Sequence, residues 1–366
     1  MKKRILFFIG TRPEAIKIAP VIKEFKKNEN QYEVLVCNTG QHLDLIQSVI
    51  KFFDLKIDYD LKIMTENQDL FSLSSNLLLK TGKILEEVTP DLVFVHGDTS
   101  TSFICALAAK YLKIKVGHIE AGLRTFNQYS PFPEEINRTL TGQLADLHLA
   151  PTSRSKENLI REGVDEKSIK ITGNTVIDAL LEGKNIIKKK GYDLKYNYDY
   201  ILFTGHRREN FGDGFVKIFE ALNEICLQNP TINIIYPVHP NPNVKNLADK
   251  SFSDKGKIHL IPPQGYGEFI WLMSHAKIII TDSGGIQEEA PSLGKPVLVT
   301  RDTTERPEAV ESGTVILVGS DKNKIVSTVN KLLNDDIFYS EMSNRINPYG
   351  DGNASERILE FINENL

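Results

Sequence analysis

"AKIIITDSGGIQEEAPSLGKPVLVT", residues 276 to 300, sets two short apolar runs, "AKIIIT" and "VLVT", on either side of Asp-Ser-Gly-Gly and a helix-forming segment. A run of β-branched residues without polar alternation reads as a strand buried on both faces, and such strands belong to parallel sheets covered by helices. The same unit recurs outward in both directions. In the second half lie "YILFT" (200–204), "INIIYPV" (232–238), "IHLI" (258–261), "KIIIT" (277–281), "PVLVT" (296–300) and "TVILV" (314–318). The first half has "RILFFI" (4–9), "YEVLVC" (32–37), "LVFVH" (92–96), "KVGHI" (115–119), "LHLA" (147–150) and "IKIT" (169–172). Helix-period segments such as "EAIKIAPVIKEF" and "STSFICALAAKYL" stand between them. Strand-helix alternation of this kind predicts an α/β protein built of doubly wound parallel sheets.

With 366 residues, the chain exceeds one ordinary core and suits two domains of roughly 150 to 200 residues, with a cleft between them. The polar stretch "EGKNIIKKKGYDLKYNYDY" (182–200) lies between the two strand sets. The expected division is residues 1–172 and 173–352, and "NASERILEFINENL" (353–366) reads as a final helix opened by a capping Asn353.

The 44 Lys and Arg against 48 Asp and Glu leave a net charge of −4, which supplies no global attraction for nucleic acid or an anionic membrane. A phosphate site must therefore be local. Cys37, Cys105 and Cys226 lie far apart without a C-x-x-C pair, which argues against a disulfide framework and fits a reducing cytoplasm. "RILFFIG" is too short for a signal sequence, and no apolar run reaches membrane-spanning length.

In open α/β sheets, ligands collect beyond the carboxyl ends of the strands. Here those ends read "GTRPEAIK", "TGQHLD", "HGDTSTS", "EAGLRT", "TGHRREN", "HPNPN", "PPQGYGEF", "DSGGIQEE" and "RDTTERPE". Any one of these is an ordinary turn composition. Together they describe a cleft suited to a charged, polyhydroxylated ligand. Ser283, Gly284 and Gly285 let backbone approach an anion at the start of a helix, so a phosphate is the expected guest. Glu289 is placed to accept from two ribose hydroxyls, whereas Glu288 either simply suits the helix dipole or takes a functional role. Neither G-x-G-x-x-G after the first strand nor G-x-x-x-x-G-K-[ST] is present, which disfavours dinucleotide redox chemistry and P-loop hydrolysis.

From the first half, Gly10 is read as a tight turn and Pro13 as an early helical residue, so that Arg12 and Lys17 meet a diphosphate. Asp98, Glu120 and Glu134 converge as candidate general bases, an arrangement that needs a cation or substrate to sustain it. Glu135 reads as a helix-start charge. His206, beside Arg207 and Arg208, is placed to bind or protonate a departing phosphate. The eight histidines show no ligand spacing, so no metal is expected. Phe269 and Trp271 sit at helical spacing, and Phe269 is close enough to "PPQGYG" to border a base.

"GTRPEAIK", "HGDTSTS", "HIEAGLRT", "SPFPEEINR", "GNTVIDAL", "TGHRREN", "DSGGIQEEAPSLGKPVLV" and "RDTTERPEA", in order over residues 10 to 309, resemble the non-hydrolysing UDP-N-acetylglucosamine 2-epimerase family. The resemblance implies a glycosyltransferase-B type fold of two Rossmann-like domains, with the C-terminal helix returning to the first, and a homodimer. It implies exchange between UDP-N-acetylglucosamine and UDP-N-acetylmannosamine through elimination of UDP to a 2-acetamidoglucal and re-addition, without metal or cofactor. On that pattern Asp98, Glu120 and Glu134 are acid/base groups assisted by Lys17 and His206. Arg12, Ser283, Gly284, Gly285 and Arg306 contact phosphate, Glu289 the ribose, and Gln264 with Phe269 the uracil. A second, activating UDP-N-acetylglucosamine would meet Gln41, Glu134, Arg207 and His239. Leu43 and Asn67 stand there in place of arginines, which argues against that site. The competing readings are a glycosyltransferase of the same fold, a hydrolysing 2-epimerase, and a non-catalytic sugar-nucleotide sensor.

Overall fold

The computed structural model describes residues 2–41, 43–64, 68–194, 196–252 and 256–366, apart from the side chains of 43–45 and 208. Thirteen strands are described: β1 (Lys3–Ile9), β2 (Tyr32–Asn38), β3 (Tyr59–Asp60), β4 (Leu92–His96), β5 (Lys115–Ile119), β6 (Leu147–Ala150) and β7 (Ile169–Ile171), then β8 (Tyr200–Thr204), β9 (Asn233–Pro237), β10 (Ile258–Ile261), β11 (Ile278–Thr281), β12 (Val297–Val299) and β13 (Val315–Leu317). The chain divides into two compact units, Met1–Glu182 with Gly350–Leu366, and Gly183–Tyr349. The break falls inside the helix Thr175–Lys189.

In the first unit the strand order is β3-β2-β1-β4-β5-β6-β7, all parallel, and in the second it is β10-β9-β8-β11-β12-β13. Both orders reverse direction beside their first strand, at β1/β4 and at β8/β11. These are the points where a doubly wound sheet opens a crevice. Leu6, Phe8, Val93 and Val95 face one core of the first unit, and Ile201, Phe203, Ile278 and Ile280 one core of the second. No described helix is long and apolar enough to cross a membrane.

Local chemistry explains the element that matters most. Thr11 caps the helix Arg12–Lys27 through a reciprocal capping box with Glu14, and Pro13 sits in the first turn, where its missing N–H costs nothing. Gly10 is glycine because of crowding. A Cβ there would stand 2.3 Å from Thr101 Oγ1 and 2.4 Å from Thr39 Oγ1.

The helix Ala354–Asn365 belongs to the first unit and packs against Arg12–Lys27. The Asn353 side chain makes no capping bond. Buried Asp178 replaces it, accepting from the Ala354 and Ser355 amides at 3.2 and 2.7 Å. Asp178→Ala is therefore expected to cost about 1–2 kcal/mol, the usual scale of a lost cap. The check is hydrogen exchange, which should speed up first at residues 354–358.

Candidate active site

The carboxyl ends of β1, β4 and β5 surround a cavity of about 360 Å³, lined among others by Lys17, Gln41, His96, Asp98, Glu120, Glu134 and Asn137. Five of the sequence-predicted residues thus meet in one place. Arg12, first in its helix and half-buried, is not among the lining residues.

Each carboxylate in this cavity has a distinct environment. Glu120 pairs with Lys17 and accepts Asn174 Nδ2 at 2.9 Å. Asp98 pairs with Arg138, while Asn137 Nδ2 donates to the Asp98 backbone carbonyl at 3.0 Å. Glu134 heads the helix Glu134–Leu144, and its Oε2 is buried with no hydrogen-bond partner among the described residues. Two cations therefore relieve the repulsion that three converging carboxylates would otherwise carry. Lys17 brings its ammonium into this cavity paired with Glu120. Glu135 does more than start the helix. It is buried, accepts the Thr125 and Phe126 amides at 2.9 Å each, and lies 3.3 Å from Arg138.

Three buried histidines lie here, His96 in the cavity lining and His118 and His148 on the neighbouring strands β5 and β6. Burial pushes His96 down to about 4 and His118 to about 3, so both are neutral near pH 7. His96 Nε2 lies 4.0 Å from Glu120 Oε2, and His118 Nε2 lies 2.8 Å from the Gly97 carbonyl, bracing the turn that presents Asp98. His148, the cross-strand neighbour of His118, is held down to about 4 for the same reason. Buried Glu14 spans the crevice from the β1 side, accepting from the Gly10 and Thr11 amides and from the Thr99 and Ser102 hydroxyls of the β4 side.

In the second unit, fully buried Asp282 follows β11 and grips the loop after β8. Its Oδ2 accepts the His206 and Arg207 amides at 2.8 Å each, and Oδ1 lies 3.2 Å from His206 Nδ1. The His206 ring stacks on His239 with centroids 5.5 Å apart. Partial burial holds the His206 imidazole below its ordinary value, against the opposing pull of Asp282. Beside it the helix Gly284–Glu289 begins. The Ser283 amide is spent on Thr281 Oγ1 at 3.0 Å, and the first intrahelical bond runs from the Gln287 amide to the Ser283 carbonyl, so the amides of Gly284, Gly285 and Ile286 have no intrahelical acceptor.

Arg306 lies against that turn, where a Cβ on Gly284 would come 3.3 Å from its guanidinium carbon. Glu288 is not a passive helix-start charge: its Oε1 accepts Arg306 Nε at 2.8 Å and orients the guanidinium. Glu289 is nearly buried and accepts from Tyr266 OH at 3.2 Å. Phe269 is half-buried on the helix Tyr266–His275, and Gln264 Nε2 donates to the Pro262 carbonyl at 2.6 Å. In the first unit, Gln41 accepts from Thr101 Oγ1 at 2.8 Å. Asn67 and the side chains of Leu43 and Arg208 lie outside the described residues.

Sequence reasoning overlooked His96, Arg138, Asn174 and Asp282. Arg138 carried a usable signal, four residues after Glu134 on one helix face. Asp282 carried another, as a charged residue directly after the apolar run Ile278–Ile280 and Thr281.

A sequence model of the UDP-N-acetylglucosamine 2-epimerase family matches residues 23–363. The UDP-N-acetylglucosamine 2-epimerase of Campylobacter jejuni is 51% identical over 375 residues, covering 99% of this chain and 98% of its own. Among solved structures, the Neisseria meningitidis UDP-GlcNAc 2-epimerase bound to UDP-GlcNAc superposes with a TM-score of 0.90 at 48% identity, over 99% of this chain and 100% of that one. The Methanocaldococcus jannaschii enzyme in complex with UDP-GlcNAc and UDP does so with a TM-score of 0.82 at 37% identity, over 99% of each chain. With these matches spanning nearly every residue of both units, the chain belongs to the UDP-N-acetylglucosamine 2-epimerase family, enzymes of the isomerase class.

Proposed function

We propose that the protein interconverts UDP-N-acetylglucosamine and UDP-N-acetylmannosamine by inverting C2, supplying activated N-acetylmannosamine for surface glycans, and that it works as a homodimer. The hydrogen on C2 is not acidic, so direct deprotonation is unfavourable. Elimination avoids this. A carboxylate takes the C2 proton, the C2–H electron pair becomes the C1=C2 double bond, and the C1–O bond breaks with its electrons leaving on UDP. Return of a UDP oxygen to C1, with a proton delivered to the other face of C2, completes the inversion.

In this reading Asp98, Glu120 and Glu134 handle protons, and Lys17, paired with Glu120, assists at the sugar or diphosphate. The Gly284 and Gly285 amides, Ser283, Arg306 and Arg12 hold the diphosphate, where negative charge grows as C1–O breaks. His206 binds or protonates the departing phosphate, Glu289 takes the ribose, and Gln264 with Phe269 border the uracil. The observation that carries the reading is the first unit's cavity. Two of its carboxylates are matched to cations, and the third, Glu134, has a buried oxygen without a partner. Such an oxygen is costly unless a ligand uses it.

The test is incubation with UDP-N-acetylglucosamine alone in heavy water, followed by NMR at C2. Deuterium should enter C2 of intact nucleotide sugars of both configurations. Free sugar would indicate a hydrolysing enzyme, and an unchanged spectrum a transferase or sensor. Either of those results would overturn the proposal.

A further inference from the structure

Glu120 follows the last residue of β5 with a backbone φ of +62°, a left-handed conformation that costs energy for a residue with a Cβ. Its carboxylate lines the cavity, and its direction depends on side-chain anchors. Two donors converge on Oε2 from distant parts of the unit, Lys17 Nζ from the helix after β1 and Asn174 Nδ2 from the segment after β7. Oε1 lies on the Gly97 side, 3.5 Å from where a Cβ on that glycine would be.

Asn174 is itself fixed. It is 3% exposed, and its Oδ1 accepts the Val176 amide at 3.0 Å. A flipped amide would set NH₂ against N–H and oxygen against carboxylate, so the end facing Glu120 must be the donor. The two anchors differ in kind. Lys17 supplies charge, which stabilises the carboxylate and reduces its basicity. Asn174 supplies direction through a neutral donor, which lowers the carboxylate's basicity less than a full positive charge would while fixing where it points.

Resting on the proposed epimerase reading of this cavity, we infer that Asn174 is a positioning residue for Glu120, clamping Oε2 so that the carboxylate meets C2 in one orientation. The titratable groups facing Glu120 are Lys17 from the helix after β1 and His96 from β4, with Asp98 and Glu134 on the walls of the same cavity.

The test uses the full chain, two variants and the deuterium-exchange assay. Asn174→Ala should lower kcat about 10- to 100-fold with KM within about threefold, the scale on which misplacement of a reacting group acts. Asn174→Asp keeps the shape and sets a second carboxylate against Glu120. It should also raise the acid limb of the pH profile of kcat/KM by about one unit, because like charge disfavours the ionised form. UDP affinity should stay unchanged in both. Should Asn174→Ala fail to fold, the near-isosteric Asn174→Asp carries the test alone. A kcat and acid limb matching the unmodified enzyme would overturn the inference, as would loss of activity in parallel with UDP affinity or thermal stability. Glu120→Gln separates the two layers: full exchange in that variant sinks the reading of the cavity, whereas its silence alongside an unaffected Asn174→Asp sinks only the role of Asn174.

Discussion

Glu120→Gln is expected to abolish deuterium exchange at C2 while leaving UDP affinity within a few-fold of the starting protein. Glutamine retains the shape and an acceptor for Lys17 and Asn174, so the cavity should keep its geometry. It cannot accept a proton at neutral pH. General acid–base catalysis contributes about 10²–10⁴-fold, and a base with no substitute should reach the upper part of that range. Asp98→Asn should behave alike, because it too lies in the first unit's cavity. The measurements are exchange by NMR and UDP binding by calorimetry on the same preparations, with thermal unfolding as a control. A collapse of UDP affinity in either variant would show that the division of labour between the two units is misassigned.

The second large effect belongs to Asp282→Ala. That carboxylate is fully buried and holds two amides of the β8 loop at 2.8 Å, with Asn210 Nδ2 at 3.5 Å. Removing it orphans donors that each cost about 1–3 kcal/mol when left unpaired. Both amides are part-buried and regain some water, so the expected loss is about 3 kcal/mol, read from urea unfolding. UDP affinity should fall at least about tenfold, because the loop bearing His206 and Arg207 is released. Asp282→Asn keeps an acceptor and should cost less. In it, the carboxylate's upward pull on His206 is gone while burial remains, so the imidazole should titrate at a still lower pH. An NMR titration showing His206 moving upward would contradict this account of its environment.

Much of the architecture was open to reading because a parallel strand buried on both faces leaves an unbroken apolar run. "LVFVH", "KVGHI", "LHLA", "YILFT" and "IHLI" match β4, β5, β6, β8 and β10 residue for residue. β3 did not show, since two residues, Tyr59 and Asp60, at a sheet edge bury too little to leave a pattern. The positions of Asp98 and Glu120 were legible from the rule that strand ends face the ligand. Their partners were not. Lys17 and Glu120 are 103 residues apart, and Asp98 and Arg138 are 40 apart, so only the winding of the sheet makes them neighbours. Gly10 misled for a related reason. Its role is to make room for Thr39 and Thr101, and nothing local reports that crowding.

One feature of connectivity bears on how the molecule is made. The first unit is assembled from two separated stretches, and Ile358, Leu359, Phe361 and Ile362 are buried on the helix that supplies the second. On the ribosome, residues 2–182 emerge well before that cover, with all of 183–349 translated in between. The contiguous second unit can finish folding while the earlier-made one still waits with an apolar flank uncovered. Vectorial synthesis ordinarily favours whatever comes first. Here it leaves the unit that carries Asp98, Glu120 and Glu134 as the later to mature, and a nascent chain stalled before residue 354 should be the species that chaperones retain.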